Sequence, residues 1–186
     1  MTQNQQSSAV LIFIDDGFED MELMYPKYRL EEAGYRVVIA GPKAKQQYVG
    51  KHGYPCSSDV AIADVRESDF VGVICPGGWA PDKLRRMDKV KELVVQFHQS
   101  KKLVAAICHG GWVPISAGIY AKARVTGSLG IKDDLVNAGA IFEDSTVVVD
   151  GHFVSSRKPD DLPAFLSAVL QVLAASISSK PVLVHA

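Results

Sequence analysis

Three short runs of the chain offer no charged or strongly polar residue to turn toward water: Ala9 to Ile14, Phe70 to Cys75 and Leu103 to Ile107. A strand with one solvated face alternates apolar and polar residues, so uninterrupted runs of this length predict strands buried on both faces. The segments between them supply the covering helices. Asp20 to Ala33 sets Met21, Leu23, Met24, Tyr28 and Leu30 among charged residues and stops at Gly34, with Pro26 kinking the helix or marking its first turn. Pro81 to Ser100 carries Leu84, Met87, Val90, Leu93, Val94 and Phe97 on one face and reads as one helix. Ile131 to Ala138 is a helix ending at Gly139, and Asp160 to Ala175 closes the chain as an apolar helix opened by Pro159. Tyr35 to Ala40 is a further strand, and residues 43–64 form short extended pieces. Arg124 to Thr126, Ile141-Phe142, Thr146 to Val149 and His152 to Ser155 read as short strands, the last two joined by a turn at Asp150-Gly151.

Strand and helix thus alternate, which predicts an α/β fold of flavodoxin-like doubly wound type, a mainly parallel sheet with helices on both faces. The chain has 186 residues with no internal repeat or linker, so one domain is expected over 1–186, with an ordered core at about 9–175 and a loose tail from Ser176. At 47% apolar residues it is not a disordered chain, and a net charge of −1 gives no reason to expect nucleic acid or acidic lipid as a partner. Its 3 cysteines lack CxxC spacing, which argues against a disulfide framework or a zinc site. The first apolar run is too short for a signal peptide or a membrane span, so a cytoplasmic location is expected. No GxGxxG follows the first strand and no P-loop is present, which weakens a nucleotide-binding reading.

Sheets of this type place their sites in loops at the carboxyl ends of strands. Three loops qualify: Asp15 to Glu19, Pro76 to Pro81, and Cys108 to Gly111. Cys108 directly follows the third apolar run and precedes His109-Gly110-Gly111 and a short helix from Val113 to Gly118, with Ala106 and Gly110 as small neighbours. That is the layout of a nucleophile elbow with sulfur in place of a hydroxyl, and a thiol at a helix start is expected to favour thiolate. Neighbours at an elbow tend to point apart, so the secure role of His109 is its backbone N–H as an oxyanion donor. Glu19 reads either as a cap for the following helix or as a proton-bearing acid beside the thiol. Cys75 reads as core, and nothing around Cys56 suggests activation. His52, His98, His152 and His185 lack metal-ligand spacing, and Trp79 and Trp112 flank the elbow loops. Asp133-Asp134 and Asp160-Asp161 read as helix starts.

These loops also carry the motifs of a known family. Gly17-Phe18-Glu19-Asp20-Met21-Glu22-Leu23 with Tyr25-Pro26, Lys51-His52-Gly53, Pro76-Gly77-Gly78 with Ala80-Pro81, Ile107-Cys108-His109-Gly110, Ile131-Lys132-Asp133-Asp134, and Val149-Asp150-Gly151 with Ser155-Ser156-Arg157 occur in order. From about Ala9 to about Val172 the chain resembles the PfpI-type intracellular proteases of the ThiJ/PfpI superfamily, within the class I glutamine-amidotransferase-like fold. The resemblance implies that Cys108 is the nucleophile, that Glu19 hydrogen-bonds its sulfur, that His109 is the adjacent histidine, and that the N–H groups of Gly78 and His109 form an oxyanion hole. A glutamate from a neighbouring subunit orients the histidine in that family; it falls at Asp82 here, one methylene shorter, and a tyrosine near the family's site is replaced by Ser128. A homo-oligomer, dimer or hexamer, is implied, with no cofactor, no metal, no nucleic acid and no membrane partner. The implied activity is that of a stress-protective, cofactor-free cysteine enzyme acting on a small reactive carbonyl, glyoxalase- or deglycase-like, or on a peptide as a hydrolase. Two alternatives stand beside it: a redox sensor or chaperone-like protein using Cys108 oxidation, and a scaffold that has lost its chemistry.

Overall fold

The computed structural model of the protein describes residues 8–178. In chain order its elements are β1 (Ala9–Phe13), α1 (Asp20–Glu32), β2 (Arg36–Gly41), β3 (Gln47–Val49), β4 (Pro55–Ser57), β5 (Val60–Ala61), β6 (Gly72–Cys75), α2 (Ala80–Leu84) and α3 (Asp88–Gln99). These are followed by β7 (Leu103–Ile107), α4 (Trp112–Ser116), β8 (Arg124–Val125), α5 (Lys132–Asn137), β9 (Ile141–Phe142), β10 (Val147–Asp150), β11 (Phe153–Ser156) and α6 (Leu162–Ser178).

The three apolar runs become the three adjacent strands β7, β6 and β1, every residue of which is buried. The sheet runs β10-β11-β7-β6-β1-β2-β5 and is parallel except for β10, which pairs antiparallel with β11. From β1 the chain moves to β2 on one side, then returns to β6 and β7 on the other. Right-handed crossovers in opposite directions put α1 and α3 on opposite faces. The closing helix α6 packs with α1 and over β7, β10 and β11, while α3 covers β6 and β7. The strand order therefore reverses between β1 and β6, and the loops leaving those strands open a crevice there.

Local departures from the sequence reading have physical reasons. The helix expected over 81–100 is two helices: α2 ends in a turn at Arg85 to Met87, Met87 is extended (φ −84°, ψ 119°), and α3 restarts with Asp88 in its first turn. The apolar period runs across the break because both pieces keep buried residues, Leu84 and then Val90, Leu93, Val94 and Phe97. Pro26 lies inside α1, past its first turn, and has no N–H to donate to the carbonyl of Glu22. The pairs β3–β4 and β8–β9 form two small sheets of their own. The β10–β11 turn is Gly151-His152, one residue later than the sequence suggests, because Asp150 is already paired with Phe153. The closing helix begins at Leu162, after a tight turn at Pro159–Asp161, and continues to Ser178, so Ser176 belongs to it; His185 lies outside the described residues. Among the described residues no helix is long and apolar enough to cross a membrane.

Candidate active site

Strand β7 ends in extended backbone at Ile107, and Cys108 then turns into the left-handed region at φ 60°. A non-glycine residue held there is strained, and it opens a tight turn, Cys108–Gly111, that leads into α4. This is elbow geometry. Gly110 is required by it, since a Cβ at that position would lie 2.0 Å from the Cys75 carbonyl oxygen. The thiolate expected from the helix start is not what the surroundings favour. Only a short turn and a five-residue helix follow, too little for a sizeable dipole. Burial and the charge of a neighbouring carboxylate push the Cys108 thiol up to about 12, opposed by the backbone N–H groups of His109 and Gly78. The two amides read from sequence as oxyanion donors therefore converge on the sulfur itself.

The carboxyl against that sulfur is Glu22, not Glu19. Glu19 is the N-cap of α1: its Oε2 accepts from the Glu22 N–H at 2.9 Å, and its Oε1 lies 3.7 Å from His52 Nε2. Capping turns Glu19 back onto its own helix, and Glu22, one turn on, inherits the place beside the thiol. Glu22 is fully buried, and its Oε2 accepts from the Gly77 N–H at 2.8 Å. Its Oε1 has no hydrogen-bond partner among the described residues. Burial, with a smaller contribution from the charge of Glu19, raises the Glu22 carboxyl to about 8, so at neutral pH it holds a proton it can donate. The carboxyl and the thiol titrate as one system, since the charge of either disfavours the charge of the other. Gly77 makes room for both: a Cβ there would meet Glu22 Oε2 at 2.5 Å and Cys108 Cβ at 2.8 Å.

His109 also departs from the sequence reading. Its ring does not point away from its neighbour; Nδ1 lies 3.2 Å from Cys108 Sγ. The tight turn brings the two side chains to one side, and the ring packs edge-on to Trp112, whose Nε1–H donates to Asp134. Burial, then the charge of Lys51, lowers the His109 pKa, so the imidazole is neutral at pH 7 and can accept the thiol proton.

Together these groups line a cavity of about 210 Å³ bounded by Glu19, Glu22, Lys51, His52, Gly78, Trp79, Cys108, His109 and Pro159. Trp79 stands at its rim, 63% exposed. The first two loops are tied together by Trp79 N–H to Gly17 O at 2.7 Å and Glu19 N–H to Gly77 O at 3.1 Å. Lys51 and His52 come from the tip of the β3–β4 hairpin, which the Asp20 carboxylate holds by accepting from the His52 and Tyr54 N–H groups, each at 2.9 Å. Asp20→Ala is expected to cost about 1 kcal/mol and to speed hydrogen exchange at the His52 and Tyr54 amides ahead of the strands.

Pro159, read from sequence only as the opener of the closing helix, also lines the cavity, and Glu22, Lys51 and His52 are the side chains with acid–base chemistry that sequence reasoning did not assign to it. All three lie inside motifs quoted for the family, and Glu22 sits one helical turn from Glu19. Asp82 is outside the cavity, exposed on α2 and paired with Arg86 at 3.1 Å. The Ser128 hydroxyl accepts from the Gly130 N–H at 3.3 Å, and its backbone N–H donates to the Cys108 carbonyl. Cys75 is buried in β6 and Cys56 half-buried in β4; burial raises both thiols. Asp133 and Asp134 do lie in the first turn of α5, and Asp161 is engaged by Arg157 at 2.9 Å.

Known proteins share this arrangement of chain. A deglycase of Pyrococcus abyssi is 43% identical over 164 residues, covering 88% of this chain and 98% of its own. Deglycase PfpI of Pyrococcus furiosus is 40% identical over 164 residues, with the same coverage. A crystal structure of a two-domain protein from Anabaena variabilis, with DJ-1/ThiJ/PfpI-like and ferritin-like domains, superposes with a TM-score of 0.88 at 38% identity. That match covers 90% of this chain and 48% of the other, so this chain spans about half of the two-domain protein. The sequence profile of the DJ-1/PfpI family matches residues 8–172, and with relatives at 40% identity or more over nearly their whole length the chain belongs to the DJ-1/PfpI family.

Proposed function

We propose that the cavity is the active site of a cysteine enzyme that converts small reactive carbonyl compounds without a cofactor, methylglyoxal to lactate being the simplest case. The observation that carries this reading is the placement of Cys108 Sγ between two proton-transfer groups, His109 Nδ1 at 3.2 Å and the proton-bearing carboxyl of Glu22. Sulfur adds to the aldehyde carbon, the thiol proton passes to His109, and the carbonyl π pair becomes an alkoxide beside the Gly78 and His109 amides. Glu22 protonates the alkoxide, giving a hemithioacetal. The Glu22 carboxylate left behind takes the proton from the former aldehyde carbon and returns it to the neighbouring carbon, while the hydroxyl proton passes to the neighbouring oxygen, and a lactoyl thioester results. Water cleaves its C–S bond, releasing lactate and restoring the thiol. No redox partner is consumed.

The cavity volume favours a small carbonyl over a peptide, and relatives named deglycase point the same way. In this reading Asp82 acts only if a second copy of the chain brings it to the other copy's His109, and Asp82→Asn then lowers turnover most at concentrations where the copies are associated. The test of the main reading is lactate formation from methylglyoxal by protein alone, before and after alkylation of Cys108. Loss of turnover in step with the fraction of Cys108 modified is expected; lactate formation that persists after full modification overturns the reading.

A further inference from the structure

We propose that the cavity selects carbonyl substrates that carry a carboxylate, with the Lys51 ammonium as the group that recognises it. The inference rests on Cys108 being the nucleophile and adds the substrate class. Lys51 is held over the cavity by more than the Asp20 clamp. Its own N–H donates to the Phe18 carbonyl at 2.7 Å, and Val49 is tied to the first loop at both ends, N–H to Asp16 Oδ1 at 2.9 Å and carbonyl to the Gly17 N–H at 2.8 Å. The hairpin tip is therefore a fixed wall of the site, not a free loop. The Lys51 ammonium lies 5.8 Å from the centre of the Trp79 ring at the cavity rim, and no ion pair engages it among the described residues. Its charge reaches the reacting groups, lowering both His109 and Glu22.

Neither acid of the cavity pairs with it. Glu19 is committed to the α1 N-terminus through Oε2 and faces His52 through Oε1, and Glu22 holds its proton. A small, partly enclosed space whose lysine ammonium forms no ion pair with either carboxyl suits an anion beside that ammonium. An aldehyde acid fits the remaining geometry. Sulfur forms the C–S bond as the thiol proton passes to His109, the carbonyl π pair moves to oxygen and takes the Glu22 proton, and the carboxylate stays beside Lys51.

Alkylating reagents test this without requiring turnover. Iodoacetate and iodoacetamide both form a C–S bond and expel iodide, and they differ in one carboxylate. The rate at Cys108, followed by mass spectrometry of its own peptide so that Cys56 and Cys75 do not contribute, gives an iodoacetate-to-iodoacetamide ratio. That ratio is expected to exceed the ratio for N-acetylcysteine by about three- to fivefold, the size of one partly exposed ion pair. It should fall to the N-acetylcysteine value in Lys51→Gln, persist in Lys51→Arg, and shrink with added KCl. A ratio unchanged by Lys51→Gln overturns the proposal. Cys108 inert to both reagents in the native protein overturns this inference and the enzymatic reading together. A Lys51-dependent ratio without lactate formation upholds the carboxylate site and removes the carbonyl turnover.

Discussion

Cys108→Ala is expected to lower kcat/KM for methylglyoxal by ~10³-fold or more, about 4 kcal/mol of barrier, while moving the melting temperature little. No other described side chain can substitute for the sulfur. Cys75 is sealed inside β6, and Cys56 lies in β4, away from the cavity. Alanine keeps the Cβ that already fits against Gly77, and it inherits the same left-handed strain at φ 60°. The strain makes a useful internal control. Cys108→Gly is equally inactive but adopts φ 60° freely, and because relief of that strain outweighs glycine's larger unfolded-state entropy it is expected to melt above Cys108→Ala. Thermal melts beside the kinetics separate lost chemistry from a lost fold. Residual turnover in Cys108→Ala above about one tenth of wild type removes the covalent mechanism.

The fold was legible because its central strands are buried on both faces and therefore announce themselves as unbroken apolar runs. β1, β6 and β7 coincide with those runs to within a residue or two at their ends. The elbow was legible for a related reason, since a cysteine directly after such a run must sit at a strand end, where doubly wound sheets keep their sites. What failed was side-chain direction. Glu19 and Glu22 are one helical turn apart, and composition cannot say which of them faces the sulfur. The decision belongs to the capping bond from the Glu22 N–H to Glu19, together with the Gly77 N–H that holds Glu22. The same holds for His109: its pointing toward Sγ follows from the tightness of the Cys108–Gly111 turn, which adjacency in sequence does not encode. Lys51 and His52 were invisible as site residues because they reach the cavity from a hairpin whose own strands are three residues each, pinned by an aspartate more than thirty residues earlier. The break between α2 and α3 was hidden because both pieces bury the same apolar stripe.

Glu22→Gln separates the two acids and carries two readouts of opposite sign. Glutamine keeps an oxygen for the Gly77 N–H but offers an amide in place of an acid proton beside the thiol. Loss of that proton transfer is expected to lower kcat by about 10²-fold. Glu19→Gln weakens the cap of α1 and removes a smaller part of what holds the Glu22 proton, and should cost less than about tenfold in kcat, with a stability loss near 1 kcal/mol. If Glu19→Gln proves the more damaging, the placement of Glu22 as the proton donor fails. The second readout is stability against pH. The folded Glu22 carboxyl is raised to about 8 from an ordinary value of 4.5, so between those values the folded state binds a proton that the unfolded state has released. Unfolded chains then bind fewer protons than folded ones, and stability falls as pH rises across that window. The contribution of this group is fully present below 4.5 and is lost by the time pH passes about 8. Glutamine cannot ionise, so Glu22→Gln is expected to flatten that part of the melting-temperature profile and to be the more stable protein at pH 8.5, although it is the poorer catalyst. Parallel profiles for the two proteins between pH 5 and 8.5 would mean that Glu22 is already ionised in the folded state, and the proton that the mechanism assigns to it would have to come from elsewhere.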